Sequence, residues 1–181
     1  MQTLILGLGN TLLADDGAGV HAVKAMRSRL TDDSAHTLLD GGTLSFSLLP
    51  QIERAAQLIV LDATQMNAAP GTVQCFEGDD LDGLLSKPRR SVHEVSLLDL
   101  LNGARLTGRL PRNRALIGVQ PEVIDWSDAL SAPVQAAIPW MVDIALERIA
   151  AWSDEAADSA EGPLASPADN KQPGDTDHAV A

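Results

Sequence analysis

Three side chains that could bind a metal ion, the carboxylates of Asp16 and Asp62 and the imidazole of His93, are widely spaced in the chain. Each falls just after a segment typical of a strand or at the start of a helix. Because the carboxyl ends of the strands in an open parallel sheet converge on one crevice, we expect the three residues to meet there. Two carboxylates and one imidazole suit a divalent ion such as nickel or zinc and leave coordination positions open.

The two aspartates need a positive partner if they approach each other. Two carboxylates about 4 Å apart repel by roughly 4 kcal/mol at an effective dielectric constant near 20. Neither the loop 11–19 nor the segment 58–63 contains a lysine or an arginine. A cation or a shared proton is therefore required between them.

Each of these residues also has an ordinary structural interpretation. Asp15 or Asp16 is expected to cap the helix that follows, which contributes about 1 kcal/mol. Asp62 could bind loop amides, and His93 could be a surface histidine. At a helix amino terminus the dipole disfavours the imidazolium, which keeps the ring neutral and able to bind a metal. Taken one at a time, the residues leave both interpretations open.

Short apolar runs alternate with longer amphipathic segments along the chain. A buried strand is indicated by a continuous apolar run, whereas 72–76 alternates as a half-buried edge strand does. The predicted strands are 4–6, 37–39, 58–61, 72–76 and 115–119, and the predicted helices are 20–26, 44–56 (divided by Pro50), 94–104 and 134–149. This order predicts an α/β fold, a three-layer αβα sandwich. Its twisted sheet has about five strands, mostly parallel, with one antiparallel edge strand.

Composition narrows the classes of partner and compartment. The net charge of −12 disfavours binding to nucleic acid or to an anionic membrane. The sole cysteine, Cys75, permits no intramolecular disulfide and no thiolate cluster within one chain. The amino terminus lacks a basic signal region, and no apolar run approaches the roughly 20 residues that span a bilayer. We expect a cytoplasmic monomer.

The last 29 residues differ from the rest in composition. Residues 153–181 carry seven acidic residues and one lysine, and so half of the net charge, without apolar periodicity. Such a segment buries too little surface to offset backbone ordering, which costs about 1–2 kcal/mol per residue. We therefore predict a domain over 1–152 and a disordered acidic tail over 153–181.

The glycines after the first strand also admit a nucleotide-binding interpretation. Gly7 and Gly9 open a G-x-G pattern, and Asp40 could be the acidic residue that ends the second strand. The third glycine position is Leu12, however, and seven more residues precede the helix. A dinucleotide is therefore the less favoured ligand.

An ordered set of motifs resembles the hydrogenase maturation endopeptidases, over about residues 2–150. These motifs are Gly7-Leu8-Gly9-Asn10, Asp15-Asp16-Gly17-Ala18-Gly19, Asp40-Gly41-Gly42-Thr43, the strand that ends in Asp62, His93 at a helix start and Gly118-Val119-Gln120-Pro121-Glu122. The first motif is moderately specific alone, and the ordered set is highly specific. Members of this family remove a C-terminal extension from the large-subunit precursor of nickel–iron hydrogenase after nickel has been installed.

The resemblance implies roles for particular residues. The family's nickel-binding positions match Asp16, Asp62 and His93, although some members have Glu at the first of them. The nickel is supplied by the precursor. The resemblance also implies an aspartic-type peptidase, in which Asp16 and Asp62 activate water or only bind nickel, and Asp40 supports cleavage or loop geometry. The alternative is a non-catalytic assembly factor that checks nickel insertion. A basic cluster near His93, formed by Lys87, Arg89 and Arg90, could bind an acidic partner or be an ordinary solvated loop.

Overall fold

A computed structural model of the protein describes residues 2–30, 35–43, 46–86 and 92–160, without the side chains of 92–96 and 158–160. Within these ranges, five strands and five α-helices follow one another. The strands are β1 (Thr3–Leu8), β2 (His36–Gly42), β3 (Gln57–Ala63), β4 (Val73–Glu77) and β5 (Asn113–Val119). The helices are α1 (Ala18–Met26), α2 (Leu49–Arg54), α3 (Gly78–Leu85), α4 (Val92–Leu106) and α5 (Ala132–Ala160), with 3-10 turns at Ala14–Gly17 and Phe46–Leu48.

The five strands form one sheet in the order β2-β1-β3-β5-β4. All neighbouring pairs are parallel except β4 and β5, which are antiparallel. The predicted α/β class, the five-stranded sheet and the antiparallel edge strand are therefore confirmed. β3 lies at the centre of the sheet, with β1 on one side and β5 on the other, so its carboxyl end is flanked by the loops that follow those two strands.

Two apolar clusters cover the two faces of the sheet. Ile5, Ile59 and Leu61 pack with α1 and α5 in the first cluster. Leu58 and Val60 belong to the second, with buried residues of α2, α3 and α4. Side chains of a strand alternate between faces, so the continuous apolar run 58–61 of the central strand must be covered on both sides. The three-layer αβα arrangement follows from this pattern.

Two helices differ from those expected from the sequence. α3 was not predicted, because its eight residues include two glycines and three aspartates and so show little apolar periodicity. The segment predicted as one divided helix over 44–56 is a 3-10 turn followed by α2, with Pro50 in the first turn of α2. Proline is compatible with a first turn because the N–H it lacks has no partner there. Residues 44–45 lie outside the described residues.

The prediction of disorder from residue 153 is wrong for its first eight residues, because α5 continues to Ala160. Trp152 is the last residue of α5 in the buried core, and the Ser153 hydroxyl donates to the Ile149 carbonyl at 2.8 Å. Alanine-rich sequence sustains a helix beyond the core because alanine has the highest helix propensity. The remaining tail, 161–181, lies outside the described residues. Within the described ranges, no helix is both long and apolar enough to cross a membrane.

Candidate active site at the carboxyl edge of the sheet

Asp62 occupies the carboxyl end of the central strand. It lies within β3 rather than after it, opposite Gly118 of β5, and is only 1% exposed. By strand alternation it shares a face with Leu58 and Val60, the face that α4 covers. A carboxylate therefore emerges at the end of an otherwise apolar strand, on the α4 side of the sheet.

The first turn of α4 contains His93. α4 ends at Leu106, a short connection before β5 begins at the amino edge of the sheet. A helix of 15 residues is about 22 Å long, so the start of α4 is directed toward the opposite, carboxyl edge. The predicted helix start is confirmed, two residues earlier than expected. The His93 side chain lies outside the described side chains, so its meeting with the aspartates stays a prediction.

Asp16 reaches the same edge on the 3-10 turn Ala14–Gly17, which contacts β3. Its Oδ2 accepts a hydrogen bond from the Asn10 backbone N–H at 2.8 Å, and Asn10 Oδ1 accepts one from Leu12 N–H at 3.0 Å. The side chain of Asn10 thus shapes the loop, and its backbone N–H orients the carboxylate. Asp16 is half-buried at this position.

Glycines let the Asp16 loop lie directly on the strand ends. A Cβ at Gly19 would lie 2.0 Å from the Leu61 carbonyl oxygen, beside Asp62. A Cβ at Gly9 would lie 1.7 Å from the Asp16 carbonyl oxygen, and one at Gly7 would lie 2.3 Å from the Gly19 oxygen. The glycines that resemble a nucleotide fingerprint therefore accommodate the protein's own backbone.

The prediction that Asp15 or Asp16 caps a helix is wrong. The N-cap of the 3-10 turn is Leu13, and the N-cap of α1 is Gly17. Neither position makes a side-chain capping hydrogen bond. Asp15 is instead fully buried and binds the chain after β5. Its Oδ2 accepts from the backbone N–H of Glu122 and Val123, both at 2.9 Å, and from the Ser131 hydroxyl at 2.8 Å; its Oδ1 accepts from the Ser131 N–H at 2.7 Å.

These four hydrogen bonds decide the ionisation of Asp15. Burial raises the pKa of the Asp15 carboxyl, but the backbone N–H groups of Val123, Ser131 and Glu122 and the Ser131 hydroxyl together lower it below its usual value of 3.8. Hydrogen bonds to the charged form of a carboxyl favour that form. Asp15 is therefore a structural anion whose hydrogen bonds hold the chain after β5.

Backbone contacts also join the segment that Asp15 binds to the loop between β1 and α1. Leu13 and Ser127 form an isolated parallel bridge, and the Ala14 N–H donates to the Ser127 carbonyl at 2.8 Å. Ala14 has a φ of +47°, a conformation that costs a non-glycine residue about 1–3 kcal/mol. The contacts on both sides of Ala14 hold it in this conformation next to Asp15.

The side chain of Gln120 contacts the loop that follows β3. This side chain, 4% exposed, accepts hydrogen bonds from the N–H groups of Met66 and Ala68 at 2.8 and 3.3 Å and donates to Gln65 Oε1 at 2.7 Å. The loop after β3 is thereby attached to the end of β5. The sequence placed Gln120 in a motif without revealing this duty, since its partners lie more than 50 residues away.

Asp40 lies within β2 and is exposed. Its Oδ1 accepts a hydrogen bond from the Gly42 backbone N–H at 3.0 Å, where the register of β1 and β2 shifts. Gly42 has a φ of +51°, which glycine adopts without strain. A hydrogen bond from a backbone N–H to the side chain two residues earlier is typical of a turn. It favours the structural interpretation of Asp40.

Cys75 is no candidate nucleophile. It lies on β4, where its thiol is 3.7 Å from Glu77 Oε1. Burial and then the Glu77 carboxylate raise the pKa of the Cys75 thiol to about 11, although Arg148 acts in the opposite direction. The thiolate is the reactive form of cysteine, so the raised pKa disfavours reaction of this side chain at neutral pH.

A cavity of about 570 Å³ lies at the other end of the sheet. Gln57 and Asn113, the first residues of β3 and β5, line it. Asp62 lies five positions after Gln57 along extended chain, a distance of about 17 Å. The cavity is therefore distinct from the carboxylate edge.

The structure brings Asp16 and Asp62 to one edge and directs the start of α4 toward it. The basic cluster of Lys87, Arg89 and Arg90 lies outside the described residues. The duties of Asp15 and Gln120 were missed. The sequence did contain one signal for Asp15: two adjacent acidic residues occur where a single one would suffice to cap the helix.

Comparisons with known proteins identify the family. Residues 20–148 match the model of the hydrogenase maturation protease family. The hydrogenase expression/formation protein HupD of Bradyrhizobium diazoefficiens is 35% identical over 83% of this chain and 79% of its own, and the hydrogenase 2 maturation protease of Escherichia coli is 34% identical over 83% and 90%. The structure of the hydrogenase maturating endopeptidase HybD from E. coli has a TM-score of 0.76 at 33% identity, covering 81% of this chain and 91% of that one. The chain belongs to the hydrogenase maturation protease family.

Proposed function

We propose that this protein is an endopeptidase that removes the C-terminal extension from a nickel-loaded precursor of a hydrogenase large subunit. The observation that carries the proposal is the placement of two carboxylates, Asp16 and Asp62, at the edge of the sheet toward which the start of α4, the helix that contains His93, is directed. The relative from E. coli, a hydrogenase 2 maturation protease, supports it, since this chain covers 90% of that protein.

Nickel enters this proposal as part of the substrate. Carboxylate oxygens and a neutral imidazole are suitable ligands for nickel, and three of them leave positions for ligands from the precursor. Asp16, Asp62 and His93 would bind the nickel that the precursor carries and so hold the adjacent peptide bond at the edge of the sheet. A precursor without nickel would lack this contact.

The two carboxylates have two possible duties in cleavage. Either could accept a proton from the attacking water, as a general base does, or both could act only as ligands. An asparagine side chain cannot accept the proton, and its neutral oxygen is a weaker nickel ligand than a carboxylate oxygen. Asp16→Asn and Asp62→Asn therefore distinguish the duties: loss of turnover with unchanged precursor binding indicates the base, and loss of both indicates the ligand.

The test is the mass of the nickel-loaded precursor before and after incubation with the full chain. We expect the C-terminal extension to be released by the wild type, and release to be strongly reduced by Asp16→Asn and His93→Ala. Asp99→Asn, an exposed position on α4, and His178→Ala, in the acidic segment 161–181, are the controls. Thermal melting of each variant checks that it folds.

Two results would contradict the proposal. Cleavage that is undiminished in Asp16→Asn and His93→Ala would remove the assigned roles of these residues. Stable binding of the precursor without any loss of mass would identify a non-catalytic assembly factor instead.

A further inference from the structure

Four exposed apolar side chains lie on the loop that bears Asp16 and on the segment hydrogen-bonded to that loop. Leu12 is 56% exposed, Val123 44%, Ile124 57% and Trp126 79%, and we refer to these four residues as the edge patch. Their two segments are joined through the backbone: Ser127 N–H donates to the Leu12 carbonyl at 3.1 Å, and Asp15 N–H to the Val123 carbonyl at 3.2 Å. Single exposed apolar residues are ordinary, but a contiguous group marks an interaction surface.

The segment that carries three of these residues is long and firmly held. Residues 120–131 lie between β5 and α5 and take part in neither a strand nor a helix. Asp15 binds both ends of the segment, and Asp125 Oδ1 and Ser127 Oγ accept internal backbone hydrogen bonds at 2.7 and 3.1 Å. A connection of this length in a compact domain is usually functional. Because the segment is fixed, Trp126 is presented to a partner at little cost in conformational entropy.

The two segments that form the edge patch carry only negative charges. Residues 10–19 and 120–131 contain no lysine or arginine. Glu122, Asp125 and Asp128 are exposed on the second segment, and Asp16 is half-buried on the first. Charges across an interface are arranged in complementary fashion, so the partner of this surface carries positive charge beside its apolar side chains.

We propose that the edge patch docks a segment of the hydrogenase large-subunit precursor that carries apolar side chains together with lysine or arginine. This inference rests on the proposed function, because that function supplies the substrate. Asp15, the neighbour of Asp16, hydrogen-bonds to the segment that bears Trp126, so a chain seated on the edge patch leads directly to the carboxylates. The docked segment therefore flanks the scissile bond.

The energetic centre of this surface is Trp126, since exposed tryptophans are over-represented among residues that dominate binding energy. Trp126→Ala should raise KM for the precursor by about tenfold or more and change kcat by less than about twofold, because the contact is equally strong in the ground and transition states. Trp140→Ala, the same change at a 56% exposed position of α5, is the matched control and should leave both constants unchanged.

The charge component has its own variant. Asp125→Asn combined with Asp128→Asn removes two exposed negative charges, and asparagine at 125 still offers an oxygen to the Trp126 N–H. We expect KM to rise at low salt and to depend less steeply on ionic strength than in the wild type, because exposed charges are screened by salt. Thermal melting should show no change in stability.

Binding of the precursor, measured separately by titration calorimetry, separates the two proposals. Cleavage by Trp126→Ala with the wild-type KM, or the same change in Trp140→Ala, overturns the docking site and leaves the protease intact. If the wild type binds the precursor without cleaving it, and Trp126→Ala weakens that binding, the proposed protease function is overturned and the docking site stands.

Discussion

Asp15 and Ser131, 116 residues apart in the chain, are joined by two hydrogen bonds, one from the Ser131 backbone N–H at 2.7 Å and one from its hydroxyl at 2.8 Å. This contact closes the segment 120–131 over the loop that bears Asp16. The carboxylate next to the candidate catalytic aspartate therefore maintains the shape of the site, and mutation of the two neighbours should have different consequences.

Asp15→Asn should destabilise the protein by about 2–3 kcal/mol at pH 7, because hydrogen bonds to a buried charged group are lost or weakened. Asp16→Asn, at a half-buried position, should reduce cleavage with a much smaller effect on stability. Urea unfolding of both variants and the wild type measures the difference. Equal losses of stability in the two variants would contradict this division of duties.

The same carboxylate should give the wild type a pH-dependent stability. The pKa of Asp15 is lowered in the folded state, so its contribution is fully present above the unfolded value of about 3.8 and is lost as the pH falls through the lower folded value. The free energy of unfolding of the wild type should therefore fall more steeply below about pH 4 than that of Asp15→Asn. Parallel curves for the two proteins would refute the assignment.

Gly19→Ala should be poorly tolerated, because the new Cβ would lie 2.0 Å from the Leu61 carbonyl oxygen and 2.6 Å from that of Leu8. Both contacts are with backbone, so relief requires the start of α1 to move away from the strands, at a cost of about 1–3 kcal/mol or more. Gly83→Ala is the control: it lies within α3, with nothing within 4 Å of the new Cβ, and should stabilise the helix by about 0.5–1 kcal/mol. Thermal melting compares them, and similar melting temperatures would show that the close approach is absent.

Asp40 should tolerate asparagine better than alanine. The side chain accepts a hydrogen bond from Gly42 N–H, and an asparagine oxygen can accept the same bond. Asp40→Asn should keep most of the cleavage activity, whereas Asp40→Ala should lose activity together with about 0.5–1 kcal/mol of stability. A complete loss of turnover in Asp40→Asn, with the fold intact, would instead assign Asp40 to the chemistry.

Cys75 should react slowly with alkylating reagents. With the pKa of its thiol raised to about 11, the rate constant should rise with pH up to about that value, whereas an ordinary thiol levels off above its pKa of about 8.5. Glu77→Gln should shift the alkylation profile to lower pH, because it removes a negative charge and leaves Arg148. A wild-type profile that levels off near pH 9 would contradict the burial of this thiol.

The order of the elements was readable from the sequence because apolar runs in this chain are short and uninterrupted. The run at 58–61 could be covered only by a layer on each face, which placed β3 in the interior of a parallel sheet and Asp62 at its carboxyl end. The alternation at 72–76 likewise marked β4 as an edge strand. The local pattern of apolar residues was therefore sufficient to predict these two strands.

Contacts between distant segments were not readable. The sequence near Asp15 does not indicate that its partners are the N–H groups of Glu122, Val123 and Ser131. A helix cap was therefore the expected role. The extension of α5 to Ala160 was missed for the opposite reason, because helix propensity alone sustains it where apolar periodicity has ended. The position of the His93 side chain near Asp16 and Asp62 remains a prediction.

The discrimination between nickel-loaded and nickel-free precursor tests the central claim most directly. Initial cleavage rates on the two forms should be compared for the wild type, Asp16→Asn, Asp62→Asn and His93→Ala. We predict that the wild type cleaves only the nickel-loaded precursor and that the variants lose this reaction. Equal cleavage of both forms by the wild type would contradict the claim that these residues recognise the nickel of the substrate.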